Sequence, residues 1–293
     1  MQKIITLSKY VDLARWRKPV AIGLIVFIAV MWGFIVYSSS HPLSDWQVNY
    51  RPPVLSLLSG QSPYTHGASN NPPWTYVLLA PFALFPPALG NTAIGLVCMA
   101  ALALTGYKLG AKPLPLALLL FTPQVMFLSR NGGIDWLIAL GFIMPPQIGL
   151  FFVLIKPQIG ICVALFWFVE AWRKGRMCEV LRVFAPVGLA YAASVAVFGL
   201  SSILPMQAGE LVAAKYPWDA TTFPLTIPVA LVLVVSALRS RDLKKAILAS
   251  PFLSPYVAFY SWPAAVLGLA GNSWYMLAAV AGMWIVSTLA GQF

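Results

Sequence analysis

Apolar runs close to twenty residues long recur along this chain of 293 residues, and its few charges collect in the short stretches between them. A helical run of that length crosses a hydrocarbon core of about 30 Å. The alternation that a transmembrane barrel requires does not occur. The expected fold is all-α, a polytopic transmembrane helical bundle of about 8–10 spans, forming a single integral-membrane domain over residues 1–293. Only 9% of the residues are charged, far below the roughly 25% of a soluble domain.

The net charge of +11 fits the retention of Lys and Arg on the cytoplasmic side. It does not point to nucleic acid, because no basic stripe lies on a soluble face. A basic arm, residues 1–18, carries Lys3, Lys9, Arg15, Arg17 and Lys18. The apolar run after it, residues 19–37, is too long for a signal-peptide core. It reads as an uncleaved anchor with a cytoplasmic N-terminus, although Ser38-Ser39-Ser40 imitates a cleavage site. Cys98, Cys162 and Cys178 sit in or beside apolar runs without metal-like spacing, and the only histidines are His41 and His66. No metal and no cofactor are expected.

Four basic groups set the orientation: the N-terminal arm, Lys108 with Lys112, Arg173 to Arg182, and Arg239 to Lys245. With these inside a plasma (inner) membrane, the other loops fall outside, provided the short apolar stretch Trp74 to Phe85 does not cross. Asp45, Arg51, Arg130, Asp135, Lys156, Lys215 and Asp219 then share one face. Isolated charges at a membrane face are costly unless they serve a site. An outer loop, residues 41–73, is expected to hold a short interfacial helix with Val54, Leu55, Leu57 and Leu58 on its apolar side. Pro52-Pro53 would start that helix and Gly60 would end it. The remaining helices occupy residues 74–290. Among them, Leu114–Leu128 reads as a span, Ile134–Met144 as a short segment stopped at Pro145-Pro146, and Gln147–Trp172 as a run split at Lys156-Pro157.

The order Asp45, Tyr50, Gly60, Pro63-Tyr64 and Pro72-Pro73 resembles the glycosyltransferases of the GT-C type. The nearest resemblance is to the bacterial polyprenyl-phosphate-mannose-dependent branch, glycosyltransferase family 87. Gly133-Ile134-Asp135-Trp136, Lys156-Pro157-Gln158 and Ser250-Pro251 with Pro255-Tyr256 extend it. The resemblance implies a mannosyltransferase that moves a sugar from a polyprenyl-phosphate donor to a hydroxyl of a lipid or glycan acceptor, with inversion at the anomeric carbon.

Such chemistry needs a base beside the acceptor hydroxyl, and Asp45 is the candidate. It also needs cations facing the leaving phosphate, which Arg130, Lys156 or Arg51 could supply without metal. Tyr50, Tyr64, His66 and Trp74 are candidate substrate contacts, and Trp46 and Tyr76 could pack on a sugar face. Several have a structural alternative, whereas Lys156, ahead of a proline inside an apolar run, has no cheap one. Asp45 could cap the interfacial helix, Arg51 and Lys215 could snorkel to headgroups, and Asp135 could pair with Arg130. Glu170 and Glu179 should pair with the basic loop around them. Two other readings stand beside the enzyme. One is a degenerate relative serving as a structural subunit among partner membrane subunits. The other is a small transporter or flippase, against which no inverted repeat is found.

Overall fold

The computed structural model describes residues 13–65, 71–203, 219–221 and 223–289, with side chains from residue 23 onward. Thirteen α-helices are described: α1 (Leu13–Ser38), α2 (Arg51–Leu58), α3 (Pro73–Ala83), α4 (Pro87–Lys108), α5 (Pro113–Leu120), α6 (Pro123–Asn131), α7 (Asp135–Gly141), α8 (Pro146–Val153), α9 (Pro157–Phe198), α10 (Ile227–Ser240), α11 (Leu243–Ala249), α12 (Trp262–Val266) and α13 (Ser273–Leu289). Among the described residues the fold is all-helical, without a strand. Two helices, α4 and α9, are long and apolar enough to cross a membrane, and α5 with α6 makes a third if the bent pair is one span. Large apolar side chains such as Phe27, Phe34, Leu231, Val232 and Ile285 point outward from the bundle, as a lipid-facing surface would.

Proline writes most of the breaks. Helices α3 to α6, α8 and α9 each begin with a proline in the first turn, where a missing N–H costs nothing. The expected single span Leu114–Leu128 is instead α5 and α6, bent by 56°. Pro123 holds Thr122 in extended backbone, φ −69° and ψ 150°, as a residue before proline prefers. The long helix α9 is also two helices. Gly175 and Arg176 leave helical geometry, and the halves fold back side by side, so that Phe168 meets Phe184 at 5.9 Å between ring centroids.

The interfacial helix starts earlier than expected. A π-helical turn, Trp46–Tyr50, leads directly into α2, with the Arg51 N–H donating to the Trp46 carbonyl. Pro52 and Pro53 have no N–H for the carbonyls one turn earlier, so the turn ahead of them widens rather than closing as α-helix. Gly60 ends the helix at φ +77°.

Helix α3 does not traverse the bundle. Its 11 residues measure about 16 Å, half of a hydrocarbon core. Near its start, Trp74 Nε1 donates to the Phe151 carbonyl at 2.8 Å. Near its end, the Phe82 carbonyl crowds Gly90, which also touches Trp46. Its start thus docks on α8 and its end on the start of α4, beside Trp46. Helices α7 and α8 form a hairpin that starts at Asp135 and brings the chain back to Lys156, with Gly141 and Gly149 in close backbone contact.

The charges segregate as a result. At one end, Arg241 and Arg173 share Glu170, Arg173 also donates to the Leu238 carbonyl, and Lys174 and Arg182 meet Glu179. Gly268 and Gly271 pack on Lys244 at this same end. The expected pairing of Glu170 and Glu179 with the basic loop is thus present. At the other end lie Asp45, Asn131, Asp135, Lys156 and Asp219.

Candidate functional site

Asp45 is fixed by its neighbours on both sides. Trp46 is fully buried and wedged against Gly90 and Gly132. A Cβ on Gly132 would stand 2.6 Å from the Trp46 Cβ, and Gly132 has φ +68°, so glycine is needed there for space and for conformation. This seats the turn between α6 and α7 against the Asp45 loop. The Asp45 N–H donates to Asn131 Oδ1 at 3.2 Å. Asn91 Nδ2 donates to the Arg130 carbonyl at 2.8 Å and holds the turn from the α4 side.

The Asp45 carboxylate does not cap a helix, although its backbone is helical at φ −52° and ψ −37°. Oδ1 accepts from Asn49 Nδ2 at 2.8 Å. Oδ2 is enclosed and has no partner of hydrogen-bonding geometry among the described residues. Burial pushes the carboxyl up from its ordinary range. The Lys156 ammonium, the Asn49 amide and the Tyr260 hydroxyl pull it part of the way back, and Asp135 adds a further push upward. The pattern is that of a carboxylate short of solvation and near a cation. Burial also raises the Tyr50 phenol, with Asp45 and Asp135 adding to the effect, so Tyr50 remains a neutral phenol beside the carboxylates.

Asp135 and Lys156 face Asp45 from the start of α7 and the start of α9. Asp135 has no solvent exposure, and its Oδ2 lies 2.7 Å from Lys156 Nζ. Its Oδ1 is enclosed without a partner among the described residues. The Lys156 ammonium stands 5.3 Å from the centroid of the Tyr260 ring, within cation–π range. Lys156 thus pairs with Asp135 and acts on Asp45 at longer range.

The other expected site residues divide. The expected Asp135–Arg130 pair is corrected: Lys156 takes Asp135, while Arg130 is exposed and its Nε donates to Ser39 Oγ at 3.2 Å. The reason is direction. Arg130 lies in the last turn of α6, ahead of the left-handed Gly132, and reaches back to the end of α1. Lys156, a candidate cation for the leaving phosphate, pairs with Asp135. Arg51 is half-buried with its Nε enclosed and unpartnered among the described residues. Trp46 and Tyr76 are fully buried and present no ring face to a sugar. Tyr64 donates to the Asn71 carbonyl at 2.9 Å and packs edge-on against Tyr76 and Phe198. Trp74 packs on Phe151 and Tyr191. Asp219 accepts from the Thr221 and Val257 N–H groups and closes its own loop. His66 and Lys215 lie outside the described residues.

Tyr260 and Asn49 joined the cluster without being singled out from the sequence. The available signal was the polar set Ser250, Ser254, Tyr256, Tyr260 and Ser261 inside a proline-broken apolar stretch. Among the described residues, no three His, Cys, Asp or Glu side chains group as metal ligands. Neither a family model, nor a curated protein, nor a solved structure matches this chain.

Proposed function

We propose that the chain is a membrane-embedded glycosyltransferase of the GT-C type, built as a polytopic bundle with its basic end and N-terminus in the cytoplasm. It would transfer a sugar, mannose by resemblance, from a polyprenyl-phosphate donor to an acceptor hydroxyl at the outer face of the plasma membrane. The observation that carries this reading is Asp45: a buried carboxylate that caps no helix, held through Oδ1 by Asn49, with the Tyr260 hydroxyl and the Lys156 ammonium acting on it.

In this reading the enclosed Asp45 site opens to admit the acceptor, whose hydroxyl then donates to Asp45 Oδ2. Its O–H bond gives the proton to the carboxylate, the oxygen bonds to the anomeric carbon, and the bond to the lipid phosphate breaks. Burial makes Asp45 the more basic, and Lys156 offsets part of that rise. With Lys156 matched by Asp135, the leaving phosphate falls to Arg130 and Arg51.

The same matching favours a second reading, a structural subunit without activity, in which the Asp135–Lys156 pair only pins the α7–α8 hairpin. Sugar transfer from a polyprenyl-phosphate mannose donor by the purified chain separates the two. The enzyme reading expects transfer that Asp45→Asn abolishes while the protein stays folded. Undiminished transfer by Asp45→Asn would remove the base assignment, and no transfer by the unaltered chain would favour the subunit.

A further inference from the structure

At the end of the bundle remote from Asp45, the two halves of α9, the start of α8 and the end of α10 enclose a cleft of about 530 Å³, within the size range of small-ligand pockets. Its floor is apolar, with Trp167 and Val183, and its rim carries Arg173, Lys174 and Arg241 against Glu170 and Glu179. The rim is pre-set by ion pairs. Arg173 is held at 2.6 Å by Glu170 and Lys174 at 2.7 Å by Glu179, while Arg241 stands 3.9 Å from Glu170. Lys174 and Arg241 remain about 70% exposed, at 71% and 69%, so their donors are open to a further acceptor.

A second observation falls at the same place. Among the described residues, the non-glycine residues with positive φ are Arg176 and Arg241. Arg176, at φ 52° and ψ −143°, occupies backbone space that glycine normally fills, and its guanidinium lies 5.6 Å from the Trp172 ring. Arg241 caps α10 at φ 53° and ψ 39°. Strained backbone of this kind gathers at ligand clamps. Here it turns two arginine-bearing segments toward one cleft in place of the glycines that would make the turns freely.

We propose that this cleft binds a phosphate-class anion, with Arg173, Lys174 and Arg241 as its donors and Glu170 and Glu179 holding them in place. Guanidinium forks suit phosphate oxygens, and the apolar floor suits the glycerol and first methylenes of a lipid attached to that phosphate. The inference is independent of any sugar transfer at the opposite end.

The test uses the full chain in nanodiscs of neutral phosphatidylcholine. In one arm the discs are doped with phosphatidylglycerol, and retained lipid is counted by native mass spectrometry. In the other arm inorganic phosphate is titrated and thermal unfolding is followed. Retained phosphatidylglycerol, or saturable stabilisation by phosphate, is expected, and whichever arm responds identifies the source of the phosphate. The double variant Arg173→Gln/Arg241→Gln should weaken the response at least tenfold, and Lys174→Gln, at an exposed position, should weaken it severalfold without disturbing the fold. Lys108→Gln/Lys112→Gln should leave it unchanged. No response in either arm, or equal loss in the Lys108/Lys112 variant, would overturn the proposal.

Discussion

Asp135 and Lys156, 21 residues apart in sequence, meet at 2.7 Å across the mouth of the α7–α8 hairpin. Asp135 is wholly enclosed and Lys156 nearly so. Removing one member leaves the other as an uncompensated buried charge, at a cost of about 3–5 kcal/mol. Lys156→Met should therefore lower thermal stability strongly, and Lys156→Met/Asp135→Leu should recover most of the loss. Unfolding of the purified variants in detergent measures both.

Asp45 gives a different pattern. Its surroundings on balance disfavour the charge, so Asp45→Asn should change stability at neutral pH by no more than about 1 kcal/mol. Its effect on sugar transfer should be a loss of about 10²–10⁴-fold, the usual contribution of a general base. Matched unfolding and transfer assays on one preparation test the separation.

The pH dependence follows from the direction of the Asp45 shift. With the folded carboxyl raised above its ordinary value of 3.8, the transfer rate should fall as pH drops through a midpoint above that value. Between the ordinary and the raised value the folded chain holds more protons on this group than the unfolded chain. Its stability contribution therefore declines as pH rises through that window. Asp135→Asn removes a carboxylate that pushes Asp45 upward and leaves Lys156 less fully matched, so the acid limb of the rate profile should move to lower pH.

Gly160 lies on the Val153 carbonyl where α9 packs on α8, and any Cβ there would overlap backbone. Gly160→Ala should cost about 1–3 kcal/mol, the range for overpacking, because a carbonyl cannot rotate away as a side chain can. Since this contact seats the start of α9, sugar transfer should fall with it. Circular dichroism melting checks the first expectation, and the transfer assay checks the second.

Arg176 supplies the opposite case. Its backbone strain of about 1–3 kcal/mol outweighs an exposed cation–π contact with Trp172 of about 0.5–1 kcal/mol. Arg176→Gly should stabilise the chain by about 1 kcal/mol, read as a rise in melting temperature.

The helical class and most of its breaks were legible because proline and isolated charge are local signals. Lys156-Pro157 marks the start of α9, and Pro145-Pro146 the start of α8. The pairing of Glu170 and Glu179 with the basic residues around them was legible for the same reason. Partner choice was not. Arg130 was the nearer candidate for Asp135 in sequence, and only the hairpin brings Lys156 to it. Tyr260 reaches the cluster through a stretch of short 3₁₀ turns that carries no periodic signal. The π-helical turn was hidden because its cause, two missing N–H groups, lies downstream of the residues it reshapes. Trp46 and Tyr76 read as open aromatics because they lie in or near a polar loop, yet Trp46 is wedged against Gly90 and Gly132 and Tyr76 is on the buried side of α3.

The shortness of α3 bounds what it can do. At about 16 Å it docks on α8 through Trp74 and on the start of α4 through Phe82, and the end of α1 lies against that same start of α4, where Gly33 meets Thr92 and Leu96. Inserting about nine residues, enough to reach about 30 Å at roughly 1.5 Å per residue, would push the two anchored ends apart. Trp74 could not then keep its bond to the Phe151 carbonyl while Phe82 keeps its place on Gly90.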